Sequence, residues 1–130
     1  MSGDSYALDT NIVIALQARD GRVVERVAAA DTVVLPSVVV GELYFGARKS
    51  GQVSRNIARL DVYLARFVVL DVDTITAQYY GQIRNDLRII GRPIPENDIW
   101  IAATALRHGL TLATRDQHFQ HVAGLTLAVW

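Results

Sequence analysis

Cysteine is absent from the 130 residues. A disulfide framework, a thiolate zinc or iron–sulfur site and a cysteine nucleophile are therefore excluded. Lysine occurs once, as Lys49, against twelve arginines. Charge of one sign is also missing: thirteen basic residues face thirteen acidic ones, for a formal net charge of zero. A bulk electrostatic pull on nucleic acid is thereby removed, though not a local one. No apolar run approaches the ~18–20 residues of a membrane-spanning helix. Met1-Ser2-Gly3-Asp4 offers neither a basic leader nor a long apolar stretch, so no secretory signal is expected. No low-complexity tract, internal repeat or Pro/Gly/Ser linker marks a boundary, and residues 1–130 read as one domain.

What is present describes a packed chain. Hydrophobic residues make up 51% and charged residues 20%, outside the range of disordered sequences. At this length folding should bury roughly two-thirds of the unfolded surface. A soluble, intracellular and cytoplasmic protein is expected. The arginine excess suits bidentate contacts with phosphate or carboxylate. A genome-wide preference for arginine would produce the same bias.

Short β-rich runs alternate with longer helical ones. Strands are expected at residues 6–8, 32–35, 67–70, 110–113 and 125–129. A helix opens at Asp9 and runs to Arg19 with Thr10 as a possible cap, and residues 23–30 continue helical. Val38-Val39-Val40 favours a strand, but Ser37 as an N-cap and the spacing of Leu43 and Ala47 favour a helix over 37–49. Val53, Ile57, Leu60 and Leu64 fall on one helical face over 52–66, opposite Arg55, Arg59 and Arg66. A helix over 74–90 should turn Ile75, Tyr79, Ile83, Leu87 and Ile90 inward. A last helix over 95–108 is stopped by Gly109. Apolar strands buried on both faces, separated by helices, imply right-handed βαβ crossovers. The expected architecture is a three-layer α/β/α domain around a parallel sheet, with its working site beyond the carboxyl ends of the strands.

Four acidic residues fall where that rule expects function. Asp9 follows strand one and Asp116 follows strand four. Asp98 lies in the first turn of the helix leading into strand four, and Glu42 lies in the helix after strand two. Convergence of all four would need help, since two unit charges ~4 Å apart repel by about 4 kcal/mol at an effective dielectric near 20. Either protons or cations must sit among them. Oxygen ligands without cysteine or clustered histidine select Mg²⁺ or Mn²⁺, and paired ions are common machinery for cutting phosphodiesters. The plainer reading makes Asp9 a helix cap and Asp98 a favourable charge at a helix N-terminus.

Four segments carry a resemblance. Tyr6-Ala7-Leu8-Asp9-Thr10-Asn11-Ile12 resembles the opening of a PIN-domain ribonuclease. Gly41-Glu42-Leu43-Tyr44-Phe45-Gly46-Ala47 resembles its second motif. Residues 95–103, from Pro95 through Asn97-Asp98 to Ala103, and Thr114-Arg115-Asp116-Gln117-His118-Phe119 resemble the third and fourth. They occur in the family's order across the whole chain, and the nearest likeness is to VapC-like toxins of type II toxin–antitoxin systems.

The resemblance implies a parallel five-stranded sheet in the order 3-2-1-4-5 and Mg²⁺- or Mn²⁺-dependent endoribonuclease activity. Asp9, Glu42, Asp98 and Asp116 would be the catalytic, metal-binding quartet, with Thr10, Asn11, Asn97 and Thr114 in support. Water would attack an RNA phosphodiester in line, leaving 5′-phosphate and 3′-hydroxyl ends. Glu42 would bind metal or orient that water. A homodimer and a cognate antitoxin are implied too, the antitoxin's C-terminal segment lying in a groove beside the site. Tyr44 and Phe45 suit either that groove or core packing.

Arg55, Arg59 and Arg66, and the Arg84/Arg88 pair, could track RNA phosphates or simply solvate their helices. His108, His118 and His121 form no metal motif and read as structural or surface residues, and Trp100 and Trp130 as core or interface. A receiver domain would need an acidic pair after strand one and a lysine after strand five. A haloacid-dehalogenase-like phosphatase would need an Asp-x-Asp at strand one, and a serine hydrolase a Gly-x-Ser-x-Gly elbow. All are missing. The rival from a different class is a catalytically silent PIN-fold module that binds RNA or protein. Within the enzyme class the rival is a nuclease directed at DNA.

Overall fold

The structure, a computed structural model, describes residues 4–130; Met1–Gly3, read above for the absence of a leader, lie outside that range. Five strands form one sheet: β1 (Ser5–Leu8), β2 (Thr32–Pro36), β3 (Val68–Leu70), β4 (Thr111–Thr114) and β5 (Leu127–Val129). Their order is β3-β2-β1-β4-β5 and every pairing is parallel. Six helices among the described residues connect them: α1 (Thr10–Gln17), α2 (Gly21–Ala29), α3 (Ser37–Arg48), α4 (Val53–Leu64), α5 (Thr74–Ile89) and α6 (Glu96–Arg107). A 3₁₀ turn (Gln117–His121) leads from β4 towards β5.

Successive strand residues point to opposite faces of a sheet. Consecutive burial along Ala7–Leu8, Val34–Leu35 and Thr111–Thr114 therefore means that the central strands are covered on both sides. The edges differ from the sequence expectation. Val68 is 63% exposed on β3 and Val129 64% exposed on β5. An edge strand has a neighbour on one side only, and three-residue strands leave little for helices to cover. α6 is buried without a break from Ile101 to Ala105, and its alanines let α5 and the sheet approach closely.

Caps set the helix limits. Asp9, not Thr10, is the N-cap of α1, and its carboxylate accepts from the Thr10 N–H at 2.8 Å. Pro36 rather than Ser37 precedes the first turn of α3, with no side-chain cap. Asp20 and Asp73, which look like plain surface residues in the sequence, cap α2 and α5. α6 ends as expected at Gly109. The Gly109 N–H donates to Leu106 and the Leu110 N–H to Ala105, with Gly109 at φ 64°, which is a Schellman turn.

The face of α5 is rotated from expectation. Thr76, Ile83 and Leu87 are buried and Tyr80 is partly buried, whereas Ile75, Tyr79 and Ile90 are exposed. At 3.6 residues per turn the exposed apolar residues are centred roughly 80° of arc away from the buried face. Thr76 wins an inward place because both its N–H and its hydroxyl donate to Asp73, at 2.8 Å each. A pattern read by hydrophobicity alone misses a threonine satisfied by its own cap. Trp130 is buried and packs against Tyr6, their ring centroids 4.7 Å apart. Trp100 stacks on Tyr80 at 3.9 Å.

Candidate active site

β1 and β4 are adjacent, and both end at the same rim. The Asp9 N–H donates to the Ala113 carbonyl at 2.9 Å, which ties the exit of β1 to the exit of β4. Asp9 is only 3% exposed. Its Oδ2 accepts from the Thr114 hydroxyl at 2.7 Å. The Thr114 oxygen in turn accepts from the Asp116 N–H at 3.0 Å. Thr114 thus locks the rotamer of one carboxylate and the backbone of the next. Thr10, in the first turn of α1, reaches across to α3 and donates to Oε1 of Glu42 at 2.7 Å. Asn11 accepts from the Arg115 N–H at 3.3 Å. Asp98 enters from the first turn of α6, its N–H donating to the Pro95 carbonyl at 3.0 Å.

These elements surround an open cavity of about 530 Å³. Asp9, Glu42, Asp98 and Asp116 all line it, with Thr10, Asn11 and Asn97 among their neighbours. Burial raises the pKa of Asp9 foremost; hydrogen bonds from Thr114 and Thr10 pull it down, and the charges of Asp116 and Glu42 push it further up. Asp98 is pushed up to about 6, first by burial and then by the charge of Asp9, with His118 pulling the other way. Both carboxylates feel others across the cavity. Among the described residues the ion pairs of Arg84, Arg107 and Arg115 go to Glu96, Asp73 and Asp20, and none reaches the quartet. Glu96, which also lines the cavity, pairs with Arg84; the other four carboxylates, with oxygen donors and no arginine or lysine partner among the described residues, fit a divalent cation such as Mg²⁺ or Mn²⁺.

The PIN domain matches residues 6–125. The chain belongs to the PIN-domain family. This PIN domain is 38% identical to "Ribonuclease VapC2" of Haemophilus influenzae, over 96% of this chain and 97% of that one. It is 36% identical to "tRNA(fMet)-specific endonuclease VapC" of Shigella flexneri, with the same coverage. Among solved structures it is similar to VapBC2 of Rickettsia felis bound to a promoter DNA fragment, at 30% identity and a TM-score of 0.89, over 96% of this chain and 98% of that one.

The arginines are not gathered at one place in this PIN domain. Arg59 lines a second cavity, of about 620 Å³, which adjoins the first through Thr10, Ile14 and Glu42. Arg55 is exposed and donates to Gln52 at 3.1 Å. Arg84 donates to the Tyr80 hydroxyl at 2.7 Å and pairs with Glu96 at 3.4 Å. Arg88 donates to Asn85 at 2.8 Å on the same helix, and with Arg84 it lines a separate pocket that shares Glu96 with the carboxylate cavity. Arg66 stacks over Tyr63, 5.9 Å from the ring centroid. Phe45 is 64% exposed, so the core-packing option fails for it, and the Tyr44 hydroxyl donates to Asp61 at 2.6 Å.

Two residues carry more than the sequence reading assigned. His118 sits with Nε2 2.8 Å from Oδ2 of Asp98. Arg115 donates to Asp20 and to the Trp130 carbonyl, 2.9 Å each, clamping the loop that carries Asp116 to α2 and to the residue after β5. The signal available for His118 was its place two residues after Asp116. A 3₁₀ turn there folds the ring back over α6, and histidine spacing alone does not reveal that.

Proposed function

We propose that this chain is a metal-dependent endoribonuclease, the toxin of a type II toxin–antitoxin pair, that hydrolyses RNA phosphodiesters to 5′-phosphate and 3′-hydroxyl ends. The observation that carries the reading is the meeting of Asp9, Glu42, Asp98 and Asp116 in one cavity beyond the strand ends. They come from distant stretches of the chain, and electrostatics opposes their meeting unless positive charge is brought in. The VapC ribonuclease and endonuclease names of its relatives support RNA as the substrate.

Asp9, Asp98 and Asp116 would hold Mg²⁺ or Mn²⁺, with Glu42 as a further ligand or as the group that orients the attacking water. When bound, such ions lower the pKa of water and offset charge on the transferring phosphate. The chain's own part is orientation. Thr114 holds the buried Asp9 in one rotamer, Thr10 does the same for Glu42, and Asn11 anchors the backbone before Asp116. Outer hydrogen bonds of this kind set ligand geometry as firmly as the ligands themselves. Asn97, exposed on the cavity wall, and Arg59 on its flank would meet the RNA backbone; Arg55, Arg84 and Arg88 lie farther out along its path.

The VapBC assembly of the Rickettsia felis relative supports a cognate antitoxin as partner, and a cytoplasmic setting belongs to the same proposal. The cavity between α1, α3 and α4 would take an antitoxin segment, since Ile14, Leu43, Ala47 and Tyr63 give it apolar walls and Arg59 and Glu42 give it polar ends. Ile75, Tyr79, Ile89 and Ile90, which α5 turns outward, offer a surface for a homodimer.

Partner-free protein, a mixed pool of structured and single-stranded RNAs and end-mapping of the products test this reading. Cleavage should need Mn²⁺ or Mg²⁺, stop in EDTA and in Asp98→Ala, and leave 5′-phosphates. Cleavage that survives EDTA, cyclic-phosphate ends, or preference for matched DNA would overturn it. Metal binding without cleavage of any RNA would favour the catalytically silent module.

A further inference from the structure

One side chain at the rim is not accounted for by the quartet. Phe119 is fully buried and anchors the 3₁₀ turn after β4. The preceding residue, His118, is thereby held against α6, its side chain 32% exposed. Its Nε2 is shut off from solvent and makes no aligned hydrogen bond, although Oδ2 of Asp98 is 2.8 Å away. The ring and the carboxylate attract each other, and His118 lowers the pKa of Asp98, but no N–H is aligned between them, so this buried nitrogen lacks a full partner and is free to meet a cation. One donor atom from each of Asp98, Asp116 and His118 lies within 4.8 Å of the other two. Adjacent ligands of an octahedral ion, with bonds of ~2.1 Å, stand roughly 3 Å apart.

We infer that His118 supplies a nitrogen ligand to the cation held by Asp98 and Asp116. This rests on the reading of the quartet as a cation site and extends it. The consequence is selectivity. Mg²⁺ prefers oxygen, whereas imidazole binds transition ions well. A single ring nitrogen among carboxylates tilts the site towards Mn²⁺ and away from Mg²⁺.

The test uses the purified full chain loaded with Mn²⁺ alone. Pulsed electron paramagnetic resonance detects ¹⁴N coupled to the ion. Coupling should be present in the wild type and in the control His121→Gln, and absent in His118→Gln. Titration calorimetry should show Mn²⁺ binding weakened about tenfold or more in His118→Gln, with Mg²⁺ binding changed much less. Thermal melts of the metal-free proteins check that the fold is kept, and the wild-type spectrum needs no variant. Bound Mn²⁺ with no nitrogen coupling in the wild type, or coupling that survives His118→Gln, would overturn the inference and leave the nuclease reading intact. Mn²⁺ that fails to bind the wild type, or binds Asp98→Asn equally well, would remove the cation site and the role of His118 together.

Discussion

At the scale of single residues, the carboxylates of the site are held at a cost to stability. Asp98 shows this best. Burial, and after it the charge of Asp9, raises its pKa in the folded chain to about 6, whereas an unfolded aspartate titrates near ~3.9. The folded state therefore binds the proton more tightly, and without a cation stability must fall as pH rises from about 4 to beyond 6. Urea denaturation of the metal-free protein should give a higher unfolding free energy at pH 5 than at pH 7.5, by on the order of 1–2 kcal/mol. Asp98→Asn should flatten most of that fall and be the more stable protein at pH 7.5. Asp9, shifted in the same direction, leaves a residual slope. A flat wild-type profile would mean that Asp98 is not crowded.

At the scale of elements, the helix ends carry most of what hydrophobic patterning does not show. α1, α5 and α6 all close through paired backbone bonds of the Schellman kind. The turn residue is Gly91 after α5 and Gly109 after α6, but Arg19 after α1, at φ 60°. A side chain in that conformation costs about 1–2 kcal/mol, partly offset by the unfolded-state entropy that glycine adds. Arg19→Gly should therefore raise the unfolding free energy by about 0.5–1 kcal/mol, read from denaturant melts at constant slope; a loss of stability would show that the arginine side chain makes up for its backbone. The existence and type of the elements were legible because apolar runs and punctuation by Pro36, Gly91 and Gly109 are local signals. The inward face of α5 was not, because Thr76 is buried through a bond to Asp73 and the flanking isoleucines are left outside. The quartet's positions were legible from strand ends and family motifs. The contacts that orient it, Thr114 to Asp9, Thr10 to Glu42 and His118 to Asp98, depend on elements meeting in three dimensions and have no signature in spacing.

At the scale of the whole molecule, zero net charge conceals a separation. Five carboxylates line one cavity and only Glu96 among them pairs with an arginine, while Arg55, Arg59, Arg66 and Arg88 lie outside every ion pair among the described residues. The order β3-β2-β1-β4-β5 makes that separation possible, since it sets the carboxyl ends of β1 and β4 side by side at the centre and leaves the helices to supply the flanks. The four carboxylates of the quartet should act as one unit. Groups that act as a unit lose their effect together, so their substitutions do not multiply. Single-turnover RNA cleavage should be measured for Asp9→Asn, Glu42→Gln, Asp98→Asn and Asp116→Asn, and for the double variant Asp9→Asn with Asp98→Asn. Each single change should lower the rate by about a thousandfold or more, and the double variant should be no slower than the slower of its two parents. A single variant that cuts at nearly the wild-type rate, or a double variant whose loss is the product of its parents' losses, would show that they act separately.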